Sequence, residues 1–227
     1  MRELIHNIGT RMVACTLECR GIARIQNLGV LPRCLVLEND GRAGHIGAVV
    51  CGLNPARSKT QEQNYYIAHG ASYESVVAFW NTRIRHIPYY QKLRRLVDAL
   101  NLAGPILWTD TVKCEKQAQL PAFSHLRFPD TVRRCAANYL HSELAACPSD
   151  WIAIGVGRDA FTTLSLLCPD RFVLGVPHCT GQYAASAQFD SLFIGDRLRP
   201  QIMLRFQRAQ ADEPTGALWL TADNEEG

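Results

Sequence analysis

The sequence lacks the features that mark a membrane-bound or secreted protein. No apolar run approaches the ~20 residues that a membrane-spanning helix needs, and no long apolar stretch follows the N-terminus as a signal peptide would require. We therefore expect a cytoplasmic protein with no membrane partner. The chain also has no internal repeat, no low-complexity segment, no GxGxxG fingerprint after a strand and no P-loop, so an unrelated nucleotide-binding α/β enzyme has no support.

The net charge of the 227 residues is only +3, but the charge is unevenly distributed. Residues 211–227 contain five acids and no Lys or Arg, and we expect them to form a mobile acidic tail. The first 210 residues carry 24 basic against 16 acidic side chains, a net charge of +8. Such a balance suits a polyanion such as DNA, although a solvated basic surface has the same composition. We expect residues 1–210 to form a single domain with a full core.

Short apolar runs that alternate with helical patterns indicate the fold class. Leu93, Leu96, Val97 and Leu100 follow helical spacing, as do later positions from Val132 to Leu144, and residues 157–167 form a third candidate helix. The pattern predicts an α/β protein with a central four-stranded parallel sheet and helices on both faces. Residues 1–45 are expected to be a helical and loop prelude to that sheet. The four predicted strands are Ile46–Cys51, Pro105–Thr109, Trp151–Gly155 and Phe172–Val176.

Nine cysteines are many for a chain expected in a reducing compartment. Their odd number and the lack of a signal peptide argue against a disulfide framework and favour metal ligation. Buried free thiols remain the simpler alternative, because free cysteine is a common core residue.

Three short loops, each directly after an apolar run, carry polar residues of interest. They are Gly-Leu-Asn-Pro-Ala at 52–56, Thr-Asp-Thr-Val-Lys-Cys at 109–114 and His-Cys-Thr-Gly at 178–181. Open α/β sheets bind ligands at the carboxyl ends of their strands, where such loops begin. Together and in this order the three segments resemble the motifs of the uracil-DNA glycosylase superfamily, and the resemblance extends from about Cys15 to Tyr183.

The resemblance implies the fold of that superfamily and hydrolysis of the bond between a base and its sugar. Asn54 would orient the hydrolytic water, and His178 would donate a hydrogen bond to O2 of the departing base. Asp110 would read the base, with Gly52 allowing its close approach. Each polar residue also has a simpler possible role, since Asn54 and Asp110 suit turns and His178 suits a loop.

Asp110 is the residue that discriminates between substrates. Superfamily members that take uracil usually have asparagine here, whereas an ionised carboxylate only accepts hydrogen bonds. Asp110 would therefore accept from the amino group of a cytosine-type base. A protonated Asp110 would instead donate to uracil or another oxo base.

The resemblance also implies a metal centre held by four cysteines. Iron–sulfur branches of the superfamily hold a 4Fe-4S cluster with an N-terminal pair and two remote cysteines, which here correspond to Cys15, Cys19, Cys114 and Cys135. Cys15 and Cys19 lie four apart and would share one face of a helix, although the superfamily pair is usually closer. Four thiolates also suit zinc.

DNA must be gripped and its target base extruded before such chemistry can begin. Tyr65 or Tyr66 is the candidate platform for stacking the base, while Tyr73, Phe79 and Trp80 are expected in the core. The candidate DNA contacts are Arg57, Ser58, Lys59, Thr180, Gly181 and Gln182, with Gln182 or Tyr183 filling the gap that the base leaves.

The leading hypothesis is a monomeric, monofunctional DNA glycosylase that leaves an abasic site. Its substrate would be a modified cytosine, for example glucosylated hydroxymethylcytosine in phage DNA, as in an antiviral branch of the superfamily. The first alternative is repair of uracil or another deaminated base with Asp110 protonated. The second is a DNA-binding module of the same fold without catalysis.

Overall fold

The computed structural model describes residues 1–39, 41, 45–120, 124, 126–180 and 183–222. No helix within this part of the chain is both long and apolar enough to cross a bilayer. Its helices are α1 (Arg2–Val13), α2 (Thr60–His69), α3 (Tyr73–Thr82), α4 (Pro88–Ala99), α5 (Pro129–Cys135), α6 (His141–Ala145), α7 (Arg158–Leu167), α8 (Tyr183–Asp190) and α9 (Pro200–Asp212). Its strands are β1 (Ile22–Ala23), β2 (Leu35–Glu38), β3 (Ala48–Gly52), β4 (Ile106–Asp110), β5 (Glu115–Lys116), β6 (Ile152–Val156), β7 (Val173–Val176), β8 (Phe193–Ile194), β9 (Arg197–Leu198) and β10 (Ala217–Trp219).

Six strands form one mixed sheet, flanked by helices, in the order β10-β7-β6-β3-β4-β2. β3 pairs with β6, β6 with β7 and β7 with β10, in each case in parallel. The register places Val50 beside Ile154 and Ile154 beside Leu174. Every residue of β3, β6 and β7 is buried, which explains why these strands are continuous apolar runs rather than alternating patterns.

The predicted α/β class is confirmed, but the predicted four-stranded parallel sheet is wrong, because the sheet has six strands and is mixed. The four predicted strands correspond to β3, β4, β6 and β7, which are neighbours in the sheet. The two additional strands, β2 and β10, have only four and three residues. Each lies in a segment that the sequence assigned elsewhere, β2 in the prelude and β10 in the acidic tail. The tail prediction therefore needs correction for residues 217–219, which pair with β7.

The chain divides into two compact units, each assembled from three separate segments. The first unit contains residues 1–37, 52–85 and 108–147, and the second contains residues 38–51, 86–107 and those from 148 onward. The composition and length of the chain predict a single domain over residues 1–210.

The first unit has a helical core in which α1 packs against α3. A Cβ atom added at Gly9 of α1 would lie 2.3 Å from the ring of Tyr73, so only glycine allows this approach. Tyr73, Phe79 and Trp80 are at most 5% exposed, which confirms their predicted place in the core. Ser72 caps the start of α3 through a reciprocal hydrogen-bonded capping box with Ser75.

The second unit packs α7 closely on β6 and β7. A Cβ atom at Gly155 would lie 2.5 Å from the Cα atom of Phe161, and one at Gly175 would lie 2.6 Å from the Phe161 ring. The same ring packs edge-on against Trp219 of β10 at 5.4 Å. This contact covers part of the Trp219 side chain, which remains half-buried, whereas Ala217 of the same strand is exposed.

Candidate functional site

The first two sequence motifs lie side by side in the first unit. The Gly52 carbonyl accepts a hydrogen bond from the Thr111 amide at 2.9 Å, and the Leu53 carbonyl accepts from the Val112 amide at 2.8 Å. Asn54 is half-buried, and its side-chain nitrogen donates to the Pro55 carbonyl at 3.2 Å. The structure thus brings the backbone around Asn54 and the segment after Asp110 together, and a local bond holds the Asn54 amide in the loop.

Asp110 is the last residue of β4 and is only 7% exposed. Burial raises the pKa of its carboxyl group from 3.8 to about 7. A hydrogen bond with Cys34 and the charges of Lys113 and Arg33 oppose this rise in pKa, while the charge of Glu143 adds to it. The carboxyl group therefore changes between donor and acceptor close to neutral pH.

Lys113 is buried beneath the second motif, with only 1% of its surface exposed. Its ammonium nitrogen lies 2.7 Å from Glu143 Oε2 and donates to the Asp110 carbonyl at 2.6 Å. Both side chains of the ion pair are at most 1% exposed. The Thr109 hydroxyl also donates to Glu143 Oε2 at 2.6 Å. These contacts hold the backbone at Thr109 and Asp110 in place.

A second buried ionic network, centred on Arg33, holds the loop that follows Asn54. Arg33 Nε lies 2.9 Å from Glu62 Oε1, and its terminal nitrogen lies 3.0 Å from Glu115 Oε2. The same guanidinium group donates to the carbonyl of Ala56. The Ser58 amide donates to Glu115 Oε2 at 2.6 Å. The network ties the first motif, α2 and the segment after Cys114 to one arginine.

This network corrects the prediction that Ser58 grips DNA. Ser58 is only 5% exposed, its amide is bonded to Glu115, and its hydroxyl accepts a hydrogen bond from Gln63 at 3.0 Å. A DNA phosphate cannot reach these groups without breaking buried hydrogen bonds. The flanking Arg57 and Lys59 are exposed and keep their candidate role.

Tyr65 and Tyr66 of α2 differ in their surroundings. Tyr66 is 2% exposed, and its hydroxyl donates to Glu62 at 3.2 Å, so its prediction as a stacking platform is wrong. Tyr65 is half-buried and stacks on the His69 ring with centroids 4.1 Å apart. The half-exposed Tyr65 is the residue of this pair that remains a candidate for stacking a base.

The four cysteines named by the resemblance line one small cavity in the first unit, although they come from three distant parts of the chain. Cys15 and Cys19 lie in the irregular segment after α1, so the expected helical pair is wrong. Cys114 follows the second motif, and Cys135 ends α5. The remaining wall is largely apolar and includes Leu17, Ile22, Pro32, Val112 and Tyr139.

Three side chains hold the segment with Cys15 and Cys19 in place through its backbone carbonyls. Arg24 donates to Leu17 at 3.2 Å, Arg134 donates to Glu18 at 2.6 Å, and Thr131 donates to Arg20 at 2.9 Å. Two of these donors belong to α5, which also carries Cys135. The local fold therefore positions the N-terminal pair against the helix with the fourth cysteine.

The four thiols are a donor set that either an iron–sulfur cluster or a zinc ion uses in proteins. Burial raises the pKa of the Cys135 thiol to about 11, and burial together with the neighbouring thiols raises that of Cys114 to about 12. Such thiols become thiolates only when a cation compensates them. Among the described residues, no group of three or more His, Cys, Asp or Glu side chains is arranged to hold a metal ion.

The third motif lies in the second unit, after β7. His178 is exposed, and its ring packs at a tilt against Tyr89 with centroids 5.4 Å apart. Its Nδ1 atom lies against the Thr180 backbone, 3.3 Å from the amide nitrogen and also beside the carbonyl oxygen. When Nδ1 accepts from the Thr180 amide, Nε2 carries the proton and can donate to a ligand, whereas Nδ1 that donates to the Thr180 carbonyl leaves Nε2 of a neutral ring as an acceptor. Gly181 and Gln182, the other two predicted contacts in this loop, lie outside the described residues.

Cys179 anchors this loop. Its side chain is fully buried, and its thiol donates to the Tyr89 carbonyl at 3.6 Å. Ser186 of α8 donates to the Cys179 carbonyl at 3.2 Å, and Lys92 of α4 bonds Ser186 and Asp190. The loop is therefore held from α4 and α8.

Sequence reasoning missed Arg33, Cys34, Glu62, Glu115 and Glu143. The available signal was a charged residue inside an apolar stretch, as for Arg33 in Val-Leu-Pro-Arg-Cys-Leu, because such a charge is buried only when it is paired.

No protein-family model, curated protein or solved structure matches the chain.

Proposed function

We propose that the protein is a DNA glycosylase that removes a modified cytosine from DNA and leaves an abasic site. The observation that carries the proposal is the common cavity of Cys15, Cys19, Cys114 and Cys135. The resemblance named these four positions from the sequence, and in the fold they line one cavity although they are far apart in the chain. A 4Fe-4S cluster bound there would have a structural role, joining the N-terminal segment to the second motif.

The chemistry that we propose depends on Asn54, Asp110 and His178. The sugar becomes oxocarbenium-like as its bond to the base breaks, so the attacking water needs orientation more than deprotonation. The Asn54 amide orients that water, whose oxygen adds to C1′ of the sugar and whose proton is released. The base leaves with the bonding electron pair, and the His178 Nε2–H group donates to its O2 before the base takes up a proton.

In this proposal Asp110 determines which base is bound. Above its pKa of about 7 the carboxylate accepts from the amino group of a cytosine. The phosphate contacts come from Arg57 and Lys59 after the first motif and from Thr180 after the third, and Tyr65 stacks the extruded base. Removal of ordinary cytosine would destroy the cell's own genome, so the substrate is a modified or mispaired cytosine, with glucosylated hydroxymethylcytosine of phage DNA as our leading candidate.

The raised pKa of Asp110 supports a second candidate, excision of uracil or another deaminated base. Below about pH 7 the carboxyl group keeps its proton and donates to an oxo base. The two candidates differ in the sign of their pH dependence. Excision of an amino base increases as pH rises through 7, whereas excision of an oxo base decreases.

The deciding experiment is an excision assay on duplexes that carry uracil, hypoxanthine, cytosine, hydroxymethylcytosine or glucosylated hydroxymethylcytosine at one position. We expect release of the glucosylated base by the wild-type protein, and loss of on the order of 10²-fold in rate for His178→Ala. Release of uracil alone would favour the second candidate. DNA binding with no base release, unchanged in Asn54→Ala and His178→Ala, would identify a non-catalytic binding module instead.

A further inference from the structure

Cys34, directly before β2, has a backbone conformation that side chains other than glycine rarely adopt. Its φ is 67°, and among the described residues only Asn101 shares a positive φ without being glycine. Asparagine tolerates this region, but cysteine has no such preference. Strain at a single residue persists where the surroundings determine its position, and it is concentrated at functional sites.

Contacts of the preceding residue and of the Cys34 side chain hold Cys34 in position. The amide of the preceding residue, Arg33, donates to the Lys113 carbonyl at 2.8 Å, and its guanidinium group is bound by Glu62 and Glu115. The Cys34 thiol forms a hydrogen bond with the Asp110 carboxyl group. The strained backbone therefore directs a sulfur donor at the residue that we propose reads the base.

We propose that Cys34 is a specificity-determining positioning residue, whose S–H group bonds one part of the Asp110 carboxylate and leaves the remaining acceptor capacity for a base amino group. This inference rests on the proposed function. The hydrogen bond favours the ionised carboxylate, which only accepts. Without it Asp110 protonates more readily and presents a donor to an oxo base.

The other charged groups that face Asp110 are already engaged with partners. Lys113 is paired with Glu143, and Arg33 is paired with Glu62 and Glu115. Lys113 and Arg33 lower the pKa of Asp110, and Glu143 raises it, while burial has the largest effect. The Cys34 thiol also lowers the pKa of Asp110, through a hydrogen bond to its carboxyl group, so removal of the thiol changes the protonation of Asp110 without removing a charge.

The test compares Cys34→Ala, Cys34→Ser and Cys34→Gly with the wild-type protein. Serine retains a donor, whereas alanine and glycine remove it. Glycine also adopts a positive φ without strain, so it separates the loss of the donor from damage to the backbone. Cys168→Ala, which removes a buried thiol in the second unit, is the matched control, and thermal unfolding verifies that every variant is folded.

Two readouts separate the inference from the proposed function. Infrared difference spectroscopy follows the protonation of Asp110, with Asp110→Asn assigning its band, and we expect a higher titration point for Cys34→Ala and Cys34→Gly only. The second readout is the ratio of glucosylated hydroxymethylcytosine to uracil excision at neutral pH, which we expect to fall on the order of tenfold in the same two variants.

An unchanged titration point in Cys34→Ala and Cys34→Gly overturns the inference, whether or not the protein has glycosylase activity. An unchanged excision ratio in an active protein also overturns it and leaves the proposed function intact. If the wild-type protein excises neither base, the proposed function fails and the specificity role of Cys34 fails with it.

Discussion

Lys113 and Glu143 form a buried ion pair in which the ammonium nitrogen lies 2.7 Å from one carboxylate oxygen. The same nitrogen donates to the Thr109 hydroxyl at 2.5 Å and to the Asp110 carbonyl at 2.6 Å. The second carboxylate oxygen, Glu143 Oε1, has no hydrogen-bond partner among the described residues. The ion pair therefore holds the backbone of the second motif in place, although one carboxylate oxygen of Glu143 is left without a hydrogen bond among the described residues.

Neutralising one partner of this ion pair should strongly destabilise the protein. Glu143→Gln leaves the Lys113 charge buried and uncompensated, so we expect a loss of roughly 3–5 kcal/mol of unfolding free energy. The double variant Lys113→Met, Glu143→Leu should lose less than Glu143→Gln alone, because it removes both charges. Chemical denaturation measures both. The control is Asp130→Ala, which breaks an exposed ion pair with Arg133 and should change stability by less than about 1 kcal/mol.

The sequence predicted the buried strands well because their signal is local. The apolar runs behind β3, β4, β6 and β7 are continuous, as expected for strands covered on both faces. β2 and β10 escaped prediction because they are short and lack the continuous burial that marks the similarly short β7. Pairing with a neighbouring strand, which is a tertiary interaction, is what makes them strands.

The candidate site was predicted in part, because only some of its residues have a signal that is local in the sequence. Positions after apolar runs, such as Asn54 and Asp110, can be located from the sequence. The burial of Ser58 and Tyr66 could not, because it depends on Arg33 and Glu62, which meet only in the folded first unit. The positive φ of Cys34 likewise has no signature in a cysteine.

Arg33 should be more sensitive to substitution than its position outside the motifs suggests. Arg33→Met leaves Glu62 and Glu115 buried without their cation, and we expect a loss of roughly 3–5 kcal/mol. Arg33→Lys should recover only part of that stability, since an ammonium group cannot bond both carboxylates and the Ala56 carbonyl in the same fork geometry. Equal stability of the lysine variant and the wild type would contradict this account of the network.

The cysteine cavity predicts a chromophore that depends on specific residues. Protein purified without oxygen should contain iron and sulfide in equal amounts and absorb broadly in the visible range. Cys114→Ser and Cys135→Ser should lose that absorbance, whereas Cys168→Ala, a buried thiol of the second unit, should retain it. A colourless protein with one tightly bound zinc ion would show instead that the four thiolates hold a single metal ion.

Asp110 predicts a dependence of stability on pH that a single substitution removes. Its folded pKa of about 7 lies above its ordinary value of 3.8, so between these values the folded state keeps a proton that the unfolded state has lost. Stability from this group is therefore present below the lower value and decreases by up to about 1.4 kcal/mol per pH unit as pH rises towards 7. Asp110→Asn lacks this loss, so its stability relative to the wild type should increase across this range and level off above it. Denaturant midpoints of the wild type and Asp110→Asn, measured at pH values between the ordinary and the folded pKa, test this prediction. A stability difference between the two proteins that does not change with pH would mean that the pKa of Asp110 has its ordinary value.

The exposed cations after the first motif predict how DNA affinity depends on salt. Arg57 and Lys59 are exposed, whereas Ser58 between them is buried and bonded to Glu115. If each cation meets one phosphate, Arg57→Ala and Lys59→Ala should each weaken binding to any duplex sequence and reduce the slope of log affinity against log salt by about 1. Ser58→Ala should leave the slope unchanged, because its hydroxyl faces Gln63 rather than solvent. Fluorescence anisotropy at several salt concentrations measures these slopes. A change in slope for Ser58→Ala, with none for its two neighbours, would mean that the loop rearranges when it binds DNA.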